Sequence, residues 1–281
     1  MTTGIHGGAI LTIDGHGFSD NRSQIQVTIG SNPCSVIEAM ENEIQCEIPP
    51  RTNNINRVNI TINSHQISFP SSFALNYSDA ITPNVTSVSP NTGSGLQTLT
   101  ITGNHFVGTG QTDVFVGDTP CNITTRSMTS ITCTIEPTLP AGNHTIDVFV
   151  EDIGHSNEDI LYKHDLTIRN VTPSEGGYGG GLITTIIGNG FNGTDVDVIV
   201  CNRSCLSLDI VSNGEIDCMT PPMTMSSTNT ICNISLTVDG ITKNTIFTYQ
   251  SNLTATITSV SPNRGGTGGG TTITINGTNF P

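Results

Sequence analysis

Short segments in which apolar and polar residues alternate recur along this chain, and they predict β-strands. In Thr98–Thr102, for example, Leu99 and Ile101 lie between threonines, as in a strand that buries one face. No stretch keeps the spacing of three and four residues that an amphipathic helix needs. The pattern therefore predicts an all-β fold with many turns.

One longer pattern occurs in several copies. The segment Val85–Phe106 (VTSVSPNTGSGLQTLTITGNHF) is matched by Val171–Phe191 and Ile257–Phe280, and its second half is matched by Gly7–Phe18. A fixed period of this kind is the signature of tandem structural repeats. We predict a first repeat over residues 1–80, truncated at its start, then repeats over 81–165 and 166–252, and the truncated start of a fourth over 253–281.

The first half of the pattern predicts a strand followed by a turn. In that strand Val85, Ser87 and Ser89 are expected on one face, with Thr86 and Val88 on the other. A proline then fixes φ for a turn, at Pro90, Pro173 and Pro262 in the three copies. Glycine runs follow, Gly176–Gly181 and Gly265–Gly270 among them, and we expect them to form turns.

The second half predicts another strand that ends in Gly-x-x-Phe. Ile273 and Ile275 are expected to point inward there, as Leu99 and Ile101 do in the second repeat. The glycine would permit a bend, and the phenylalanine would fill one end of the core. The four copies of this corner are Gly15 and Phe18, Gly103 and Phe106, Gly188 and Phe191, and Gly277 and Phe280.

Each full repeat is predicted to contain five or six strands, close to what an immunoglobulin-like sandwich needs. Repeat 1 would have Ala9–Ile13, Ile25–Ile29, Glu43–Glu47, Arg57–Ile62 and Phe73–Tyr77. Repeat 2 would have Val85–Val88, Thr98–Thr102, Asp113–Val116, Ser130–Ile135, His144–Val150 and Ile160–Tyr162. Repeat 3 would have Leu166–Val171, Ile183–Ile187, Val196–Val200, Glu215–Cys218, Ile231–Val238 and Thr245–Tyr249. Connections of only a few residues between repeats indicate domains in series with restricted hinges.

Eight cysteines indicate an oxidising compartment. Three pairs stand at the same place in their repeats, 12 or 13 residues apart: Cys34 and Cys46, Cys121 and Cys133, and Cys205 and Cys218. An even number of cysteines in such pairs predicts disulfides, and each closed loop would stabilise its repeat by about 3 kcal/mol. Zinc is disfavoured because only Cys201 and Cys205 are close, with no histidine near them. Cys201 and Cys232 remain, both in repeat 3.

Twelve N-glycosylation sequons predict the same compartment. They begin at Asn21, Asn59, Asn76, Asn84, Asn122, Asn143, Asn170, Asn192, Asn202, Asn233, Asn252 and Asn276. A glycan must face solvent, so these positions are expected on the surface, with some occupied and others accidental.

The charge excludes several partners. A formal net charge of -14 with only nine Lys and Arg repels a phosphate backbone, so nucleic-acid binding is excluded. The chain has no run of 18 apolar residues, and we expect no membrane insertion within it. The start of the chain lacks the charged and apolar regions of a signal peptide. Because both ends cut into a repeat, we interpret the chain as a piece of something longer.

No motif predicts catalysis or a cofactor. Gly188–Gly193 satisfies G-x-G-x-x-G, but a dinucleotide site needs a helix after the glycines, and a strand is expected at Val196–Val200. The glycine runs lack the Lys-Ser/Thr of a phosphate-binding loop. The seven histidines are scattered, without HExxH, and no Gly-x-Ser-x-Gly elbow is present. The chain is therefore predicted to be no enzyme and to hold no cofactor.

The best candidate for a ligand is an acidic segment between two strands of repeat 2. Glu151, Asp152, Glu158 and Asp159, with Asp147 before them, could supply carboxylate oxygens to Ca²⁺. The simpler interpretation, a solvated loop on an acidic protein, is favoured, and no metal is assigned.

These motifs resemble the IPT/TIG domain. The resemblance rests on Ser89-Pro90, the Gly-x-x-Phe corner at Phe106, Val116-Gly117-x-x-Pro120-Cys121 and Ser130-x-x-Cys133. The IPT/TIG domain is the immunoglobulin-like module of plexins, the hepatocyte growth factor receptor and fibrocystin-like ectodomains. Tandem copies with an added Cys201 and Cys232 look most like fibrocystin-type repeats, and this likeness implies a second disulfide between those two cysteines.

The resemblance implies a non-enzymatic extracellular segment of a cell-surface or secreted protein. It would serve as a structural stalk or as a protein-interaction ectodomain, with no particular protein partner indicated. The alternative is an accessory module of an extracellular carbohydrate-active enzyme. Such enzymes usually carry a single module, and the chain has no Trp and four Tyr, too few for a sugar-stacking platform. A nuclear DNA-binding module conflicts with the charge and the cysteine pairs.

Overall fold

The computed structural model describes residues 1–52, 54–67 and 73–280. In these residues the regular structure is β-strand apart from three short 3-10 helices, and none of the helices is long or apolar enough to cross a membrane. The chain divides into two compact units: residues 1–137 with 143–163, and residues 138–142 with the chain from His164 onward. Repeats 1 and 2 occupy the first unit. The predicted all-β class is confirmed.

Repeat 1 consists of eight strands in the order β1-β8-β6-β3-β4-β5-β2, with β7 beside β6. Their bounds are β1 Thr2–Thr3, β2 Ile10–Asp14, β3 Ile25–Ile29, β4 Asn32–Ala39, β5 Glu43–Glu47, β6 Asn54–Ile62, β7 His65–Ile67 and β8 Ala74–Tyr77. The long strand β4 pairs with β3 at one end and with β5 at the other. It therefore joins two layers, which enclose one core of Val, Ile and Leu side chains.

Repeat 2 also has eight strands, in the order β10-β16-β15-β12-β13-β14-β11-β9. Their bounds are β9 Asn84–Ser89, β10 Thr92–Gly93, β11 Thr98–Asn104, β12 Thr112–Val116, β13 Thr119–Arg126, β14 Ser130–Ile135, β15 Gly142–Val150 and β16 Leu161–His164. Strand β13 has the same linking role as β4, because it pairs with β12 and then with β14.

Repeat 3 has two separate sheets, β17-β19-β23-β22 and β18-β25-β24-β20-β21, and the start of repeat 4 is the hairpin β26-β27. The bounds are β17 Thr167–Thr172, β18 Glu175–Gly177, β19 Ile183–Asn189, β20 Val196–Val200, β21 Arg203–Ser204, β22 Ser207–Ser212, β23 Glu215–Met219, β24 Thr230–Val238, β25 Ile241–Gln250, β26 Thr256–Ser261 and β27 Thr274–Thr278. The sheets enclose a core with Tyr178, Phe247 and Tyr249 in aromatic contact.

The sequence prediction missed the short strands β1, β7, β10, β18 and β21 and one longer strand of each sandwich: β4, β13 and β22. The longer strands are polar over much of their length, and their outer halves are exposed on both faces. Each also contains a register shift in its pairing with the next strand, at Val36/Glu38, Ile123/Thr125 and Ile210/Ser212. A bulge of this kind breaks the two-residue period on which the prediction relied.

The predicted faces of the first pattern strand were wrong for the same reason. Val85 and Val88 were expected on opposite faces, yet both are buried. Strand β11 pairs Thr102 with Ser87 and Gly103 with Val85, so one residue of β9 is skipped. The bulge lets the strand place an apolar residue inward at both ends. The proline that follows has a cis peptide bond in each copy, at Pro90, Pro173 and Pro262.

The Gly-x-x-Phe corner works by close approach. Phe106 and Phe191 are fully buried, and a Cβ on Gly103 or Gly188 would collide with that ring and with a backbone carbonyl of the neighbouring strand. The bend lies one residue before each phenylalanine, at Gly17, His105, Gly190 and Asn279, which all have positive φ. The prediction that the first glycine makes the bend was therefore wrong.

Three further expectations need correction. Phe18 is half-buried and Phe280 is exposed, so these two do not fill a core as Phe106 does. Ile273 and Ile275 were expected inward, but they are exposed because hairpin β26-β27 has no opposing sheet among the described residues. The glycine run from Gly176 does not form a turn throughout, because Gly176 and Gly177 belong to strand β18, parallel to β25.

Two tyrosines anchor the edges of the cores. The hydroxyl of Tyr77 donates to the carbonyl of Pro49 at 2.9 Å, and that of Tyr249 donates to the carbonyl of Pro221 at 2.6 Å. Both rings are buried. Burial raises the pKa of Tyr77 to about 12, and the nearby Arg51 opposes this shift. Burial also raises the pKa of Tyr249.

Candidate functional site: the junctions between repeats

The chain passes from repeat 1 to repeat 2 through a single 3-10 turn at Asp79–Ile81. The next residue, Thr82, is buried. Its hydroxyl donates to the carbonyl of Ser78 at 2.9 Å and accepts the backbone N–H of Ile5 at 3.0 Å. One side chain thus ties the start of repeat 1, its end and the entry to repeat 2.

The passage from repeat 3 to repeat 4 has the same construction. A 3-10 turn at Ser251–Leu253 precedes Thr254, which is also buried. The Thr254 hydroxyl donates to the carbonyl of Gln250 at 2.9 Å and accepts the backbone N–H of Tyr178 at 2.9 Å. The two junction threonines therefore make equivalent contacts in the two units.

A glycine allows each threonine to approach the neighbouring strand. A Cβ on Gly4 would lie 2.9 Å from the carbonyl oxygen of Ile153 and 3.2 Å from the Thr82 hydroxyl. A Cβ on Gly177 would lie 2.6 Å from the carbonyl oxygen of Leu253. Either contact is shorter than real Cβ atoms accept, so both junctions require glycine at this position.

The loop over residues 151–160, between β15 and β16, adds direct backbone contacts with repeat 1. The N–H of Gly4 donates to the carbonyl of Ile153 at 2.8 Å, and the N–H of His155 donates to the carbonyl of Gly7 at 2.9 Å. The hydroxyl of Thr3 donates to the same Ile153 carbonyl at 2.9 Å. These bonds satisfy backbone groups from both repeats, so the two repeats share a continuous hydrogen-bonded contact.

His155 occupies the middle of this contact. Its Nδ1 lies 2.6 Å from Oδ2 of Asp147, and its ring lies 4.8 Å from that of Phe149. The hydrogen bond to Asp147 raises the pKa of His155, partial burial opposes that shift, and the charges of Asp147, Glu47 and Glu158 add to the rise. Because Glu47 belongs to repeat 1, the charge of this histidine is coupled to the neighbouring repeat.

The carboxylates of Glu151 and Asp152, considered for calcium, instead brace a neighbouring loop. Asp152 accepts the N–H and hydroxyl of Thr109 at 2.9 and 2.7 Å and the N–H of Gly110 at 3.3 Å. Partial burial would raise the pKa of Asp152, but these hydrogen bonds outweigh burial and lower it. Glu151 accepts the N–H of Gln111 at 2.9 Å.

The other two acidic residues lie elsewhere along the loop. Asp159 accepts an amide N–H of Asn157 at 3.2 Å, and the same Asn157 bonds both backbone groups of Val85. Glu158 faces the junction near His6. In the part of the chain that the structure describes, three or more metal-ligating side chains do not converge anywhere. The arrangement is that of a loop braced by carboxylates.

Sequence reasoning missed both the junction threonines and a second bracing carboxylate. Asp239 accepts the N–H and hydroxyl of Thr194 and the N–H of Asp195, which lower its pKa. The sequence contained a signal for this contact. The dipeptide Gly-Thr begins two residues after the corner phenylalanine in both repeats, and its threonine is Thr109 in one and Thr194 in the other. The threonines also had a signal, because the spacing Tyr-x-x-x-x-Thr occurs at Tyr77–Thr82, Tyr162–Thr167 and Tyr249–Thr254.

The structure joins the cysteines in four disulfides: Cys34–Cys46, Cys121–Cys133, Cys205–Cys218 and Cys201–Cys232. The first three link equivalent places in the three repeats, and the fourth ties the end of β20 to β24. None of the twelve sequon asparagines is buried. The glycines of Gly188–Gly193 lead through a corner directly into strand β20 and not into a helix.

Comparison with known proteins agrees with this architecture. The IPT/TIG domain profile matches residues 1–77, 83–162, 166–254 and 255–281. Fibrocystin-L of Mus musculus is 30% identical over 285 residues, which cover 98% of this chain and 6% of that protein. Fibrocystin of Canis lupus familiaris is 27% identical over 222 residues, covering 79% of this chain and 5% of that protein. The chain thus spans a small part of the length of these relatives.

Among solved structures, the plexin A4 extracellular region matches at 16% identity and a TM-score of 0.31, covering 93% of this chain and 29% of that one. Another is the surface glycan-binding protein of Prevotella bryantii, at 13% identity and a TM-score of 0.38, covering 60% of this chain and 42% of that one. Because the domain profile matches nearly every residue, and because fibrocystin-L is 30% identical over 98% of the chain, this chain belongs to the IPT/TIG family.

Proposed function

We propose that this chain is a non-catalytic, load-bearing segment of the extracellular part of a cell-surface or secreted protein. The observation that carries the proposal is the junction between repeats. The buried residues Thr82 and Thr254 each make the same two hydrogen bonds, so consecutive repeats are fastened by a recurring contact. A segment that only displays separate binding modules does not need such a contact.

The disulfides and the relatives support the extracellular location. All eight cysteines are paired, and disulfides persist in oxidising compartments. The relatives fibrocystin-L and fibrocystin align with this chain over 98% and 79% of its length. We infer that the chain is exposed outside the cell and that its repeats carry force between neighbouring domains.

The surface argues against the alternative role as a carbohydrate-binding accessory module. Sugar-binding sites commonly stack a ring against an exposed aromatic side chain. All four tyrosines are buried, and among the described residues Phe280 is the sole exposed aromatic. The described residues of the three full repeats therefore form no platform for sugar stacking.

Calorimetry of the full chain tests the fastening. If repeats 1 and 2 unfold together, their transition should have a van't Hoff enthalpy of about 110 kcal/mol, that of about 160 residues at roughly 0.7 kcal/mol each. If each repeat unfolds by itself, the value should be about half of that. The smaller value would contradict the proposal.

The location is tested on the natural protein. Labelling of intact cells with a membrane-impermeant amine reagent, followed by non-reducing peptide mapping, should recover labelled peptides from these repeats joined through the four disulfides. Peptides that are protected from the label, or that carry free thiols, would refute the extracellular assignment.

A further inference from the structure

The outer face of strands β20, β24 and β25 carries two exposed isoleucines, Ile231 and Ile246, and a half-buried one, Ile199. Ile231 is 69% exposed and Ile246 is 59% exposed. Asn233 lies between them, since it pairs directly with Ile246 across the sheet and follows Ile231 by two positions on the same strand. Ile199 pairs with Ser235 on the other side, which places it diagonal to Asn233.

The register brings these side chains within reach of one another. Side chains that are directly opposite have Cβ atoms about 5 Å apart, and diagonal neighbours lie about 7–8 Å apart. Residues two apart on one strand share a face and are separated by about 7 Å. Asn233 is therefore surrounded by three isoleucines on a face that water contacts. We name Ile199, Ile231 and Ile246 the isoleucine patch.

Asn233 also begins the sequon Asn233-Ile234-Ser235, and its side chain is exposed. Its backbone is held firmly, because its carbonyl accepts the N–H of Cys201 at 3.0 Å. The preceding residue, Cys232, is joined to Cys201 by a disulfide. A group attached to Asn233 would thus start from a fixed point at the centre of the patch.

We propose that Asn233 carries an N-linked glycan whose first sugars cover the isoleucine patch, so that this face is covered by sugar and does not dock a protein. The proposal rests on the extracellular location proposed above. In the transfer, the Asn233 amide nitrogen bonds to the anomeric carbon of an oligosaccharide donor linked to a polyprenyl diphosphate. The bond from that carbon to the diphosphate oxygen breaks, the diphosphate leaves with its electron pair, and the amide proton is lost to a base of the transferase.

The chemistry of the first sugar suits this patch. N-acetylglucosamine has an acetyl methyl group and a ring face of C–H groups, which can remove aliphatic side chains from water. Exposed groups of large apolar residues otherwise mark an interaction site or an aggregation hazard. A sequon at the centre of the group supplies a cover within the same chain.

The first unit shows related arrangements. In repeat 1, Ile55 is 72% exposed and pairs directly with the sequon residue Asn76. Ile55 and Ile231 occupy equivalent positions in their repeats. Ile55 stands three residues before Val58, which pairs with the last residue of β3. Ile231 stands three residues before Ile234, which pairs with the last residue of β20. At the same place in repeat 2, three residues before Ile146, the chain has the sequon residue Asn143 in place of an isoleucine.

The full chain, secreted from mammalian cells, provides the test. Glycosidase release in ¹⁸O-labelled water followed by mass spectrometry measures occupancy at every sequon. We expect Asn233 to be occupied. The Asn233→Gln variant should then bind several-fold more of a hydrophobic fluorescent dye than the parent protein, because the patch is uncovered.

Two controls separate covering from a general effect of glycans. Asn122→Gln removes a sequon whose cross-strand partner is Thr134 and whose amide contacts Glu136, so dye binding should not change. In a background of Ile231→Gln and Ile246→Gln, the Asn233→Gln substitution should add no dye binding. Glutamine is chosen because threonine at 231 or 246 would create new sequons at Asn229 or Asn244.

The outcomes distinguish this proposal from the extracellular one. Occupied sequons elsewhere with a bare Asn233, or an unchanged dye signal in Asn233→Gln, would overturn the glycan cover alone. A protein ligand that binds the natural protein through Ile231 and Ile246 would overturn it as well. The natural protein without a glycan at any of its sequons would overturn the extracellular location and the cover together.

Discussion

Replacing Thr82 with valine removes one hydroxyl and keeps the shape of the side chain. The partly buried N–H of Ile5 would then lose its acceptor, and the carbonyl of Ser78 would keep only the N–H of Ile81, at 3.5 Å. A buried polar group left unpaired costs about 1–3 kcal/mol. The carbonyl of Ser78 lies near the protein surface and regains part of its bonding from water. We therefore expect Thr82→Val to destabilise the first unit by about 2–4 kcal/mol.

A destabilisation of this size lowers the melting temperature of a cooperative unit of about 160 residues by roughly 5–10 °C. Thr82→Ser keeps the hydroxyl and should recover most of the loss. Thr98→Val is the control, because the Thr98 hydroxyl also makes a hydrogen bond, to the hydroxyl of Thr134 at 3.3 Å, but is exposed. That control should change the free energy of unfolding by less than about 0.5 kcal/mol.

Scanning calorimetry of the full chain gives the melting temperature, and hydrogen exchange gives the local effect. The amide of Ile5 should exchange faster in Thr82→Val, because its acceptor is gone. If the melting temperature and the exchange of Ile5 both match the parent protein, the hydroxyl does not fasten the junction and the reasoning fails.

Three other predictions concern single side chains. Phe106→Ala should destabilise repeat 2 by about 3–5 kcal/mol, whereas Phe18→Ala should cost clearly less because that ring is half-buried; denaturant unfolding that ranks them equally would refute this. Tyr77→Phe leaves the carbonyl of Pro49 unpaired and should cost about 1–3 kcal/mol. The pKa of Tyr77 is raised from 10.0 to about 12. The contribution of the Tyr77 hydroxyl to stability is therefore full below pH 10 and is lost as pH rises towards about 12. Tyr77→Phe should lose less stability than the parent protein over that pH range. The pKa of His155 is raised, so the stability that the protonated ring contributes is full below the unfolded pKa of about 6.5 and is lost as pH rises through the folded pKa. His155→Gln should therefore flatten the pH dependence of the melting temperature above pH 6. An unchanged pH profile would contradict this role of His155.

The features that could be predicted from sequence are those that recur within the chain. The Gly-x-x-Phe corner at Phe106 and Phe191 was visible because the same residues return at a fixed spacing, and burial of both rings agrees with the role expected for them. The burial of Leu99 and Ile101 could also be predicted, because the two-residue period is unbroken in their strand. Local alternation and repetition were sufficient for these elements.

Other features depend on partners that are distant in sequence. The role of Thr82 requires Ile5, which is 77 residues away, and no local pattern announces that contact. Strand β13 is polar because much of it faces solvent on both sides, and its bulge breaks the alternation. Asp152 was considered a calcium ligand from composition alone, whereas its oxygens are used by Thr109 and Gly110 of another loop.

Mechanical unfolding of the single full chain, held by its two ends, tests the load-bearing role most directly. Repeats 1 and 2 should unfold together in one step that releases about 42–50 nm, because residues 1–162 extend by at most about 0.36 nm each and the disulfides Cys34–Cys46 and Cys121–Cys133 each keep 12 residues closed. Repeat 3 should release about 20 nm, since the disulfide Cys201–Cys232 keeps 31 residues closed.

Reductant should lengthen the two steps by different amounts, about 9 nm for repeats 1 and 2 and about 11 nm for repeat 3. The Thr82→Val variant should lower the force at which the first unit begins to unfold. Discrete steps of these lengths, at a force that depends on the junction, are the result that a load-bearing segment predicts. Gradual extension without steps, or steps whose force is the same in Thr82→Val, would contradict it.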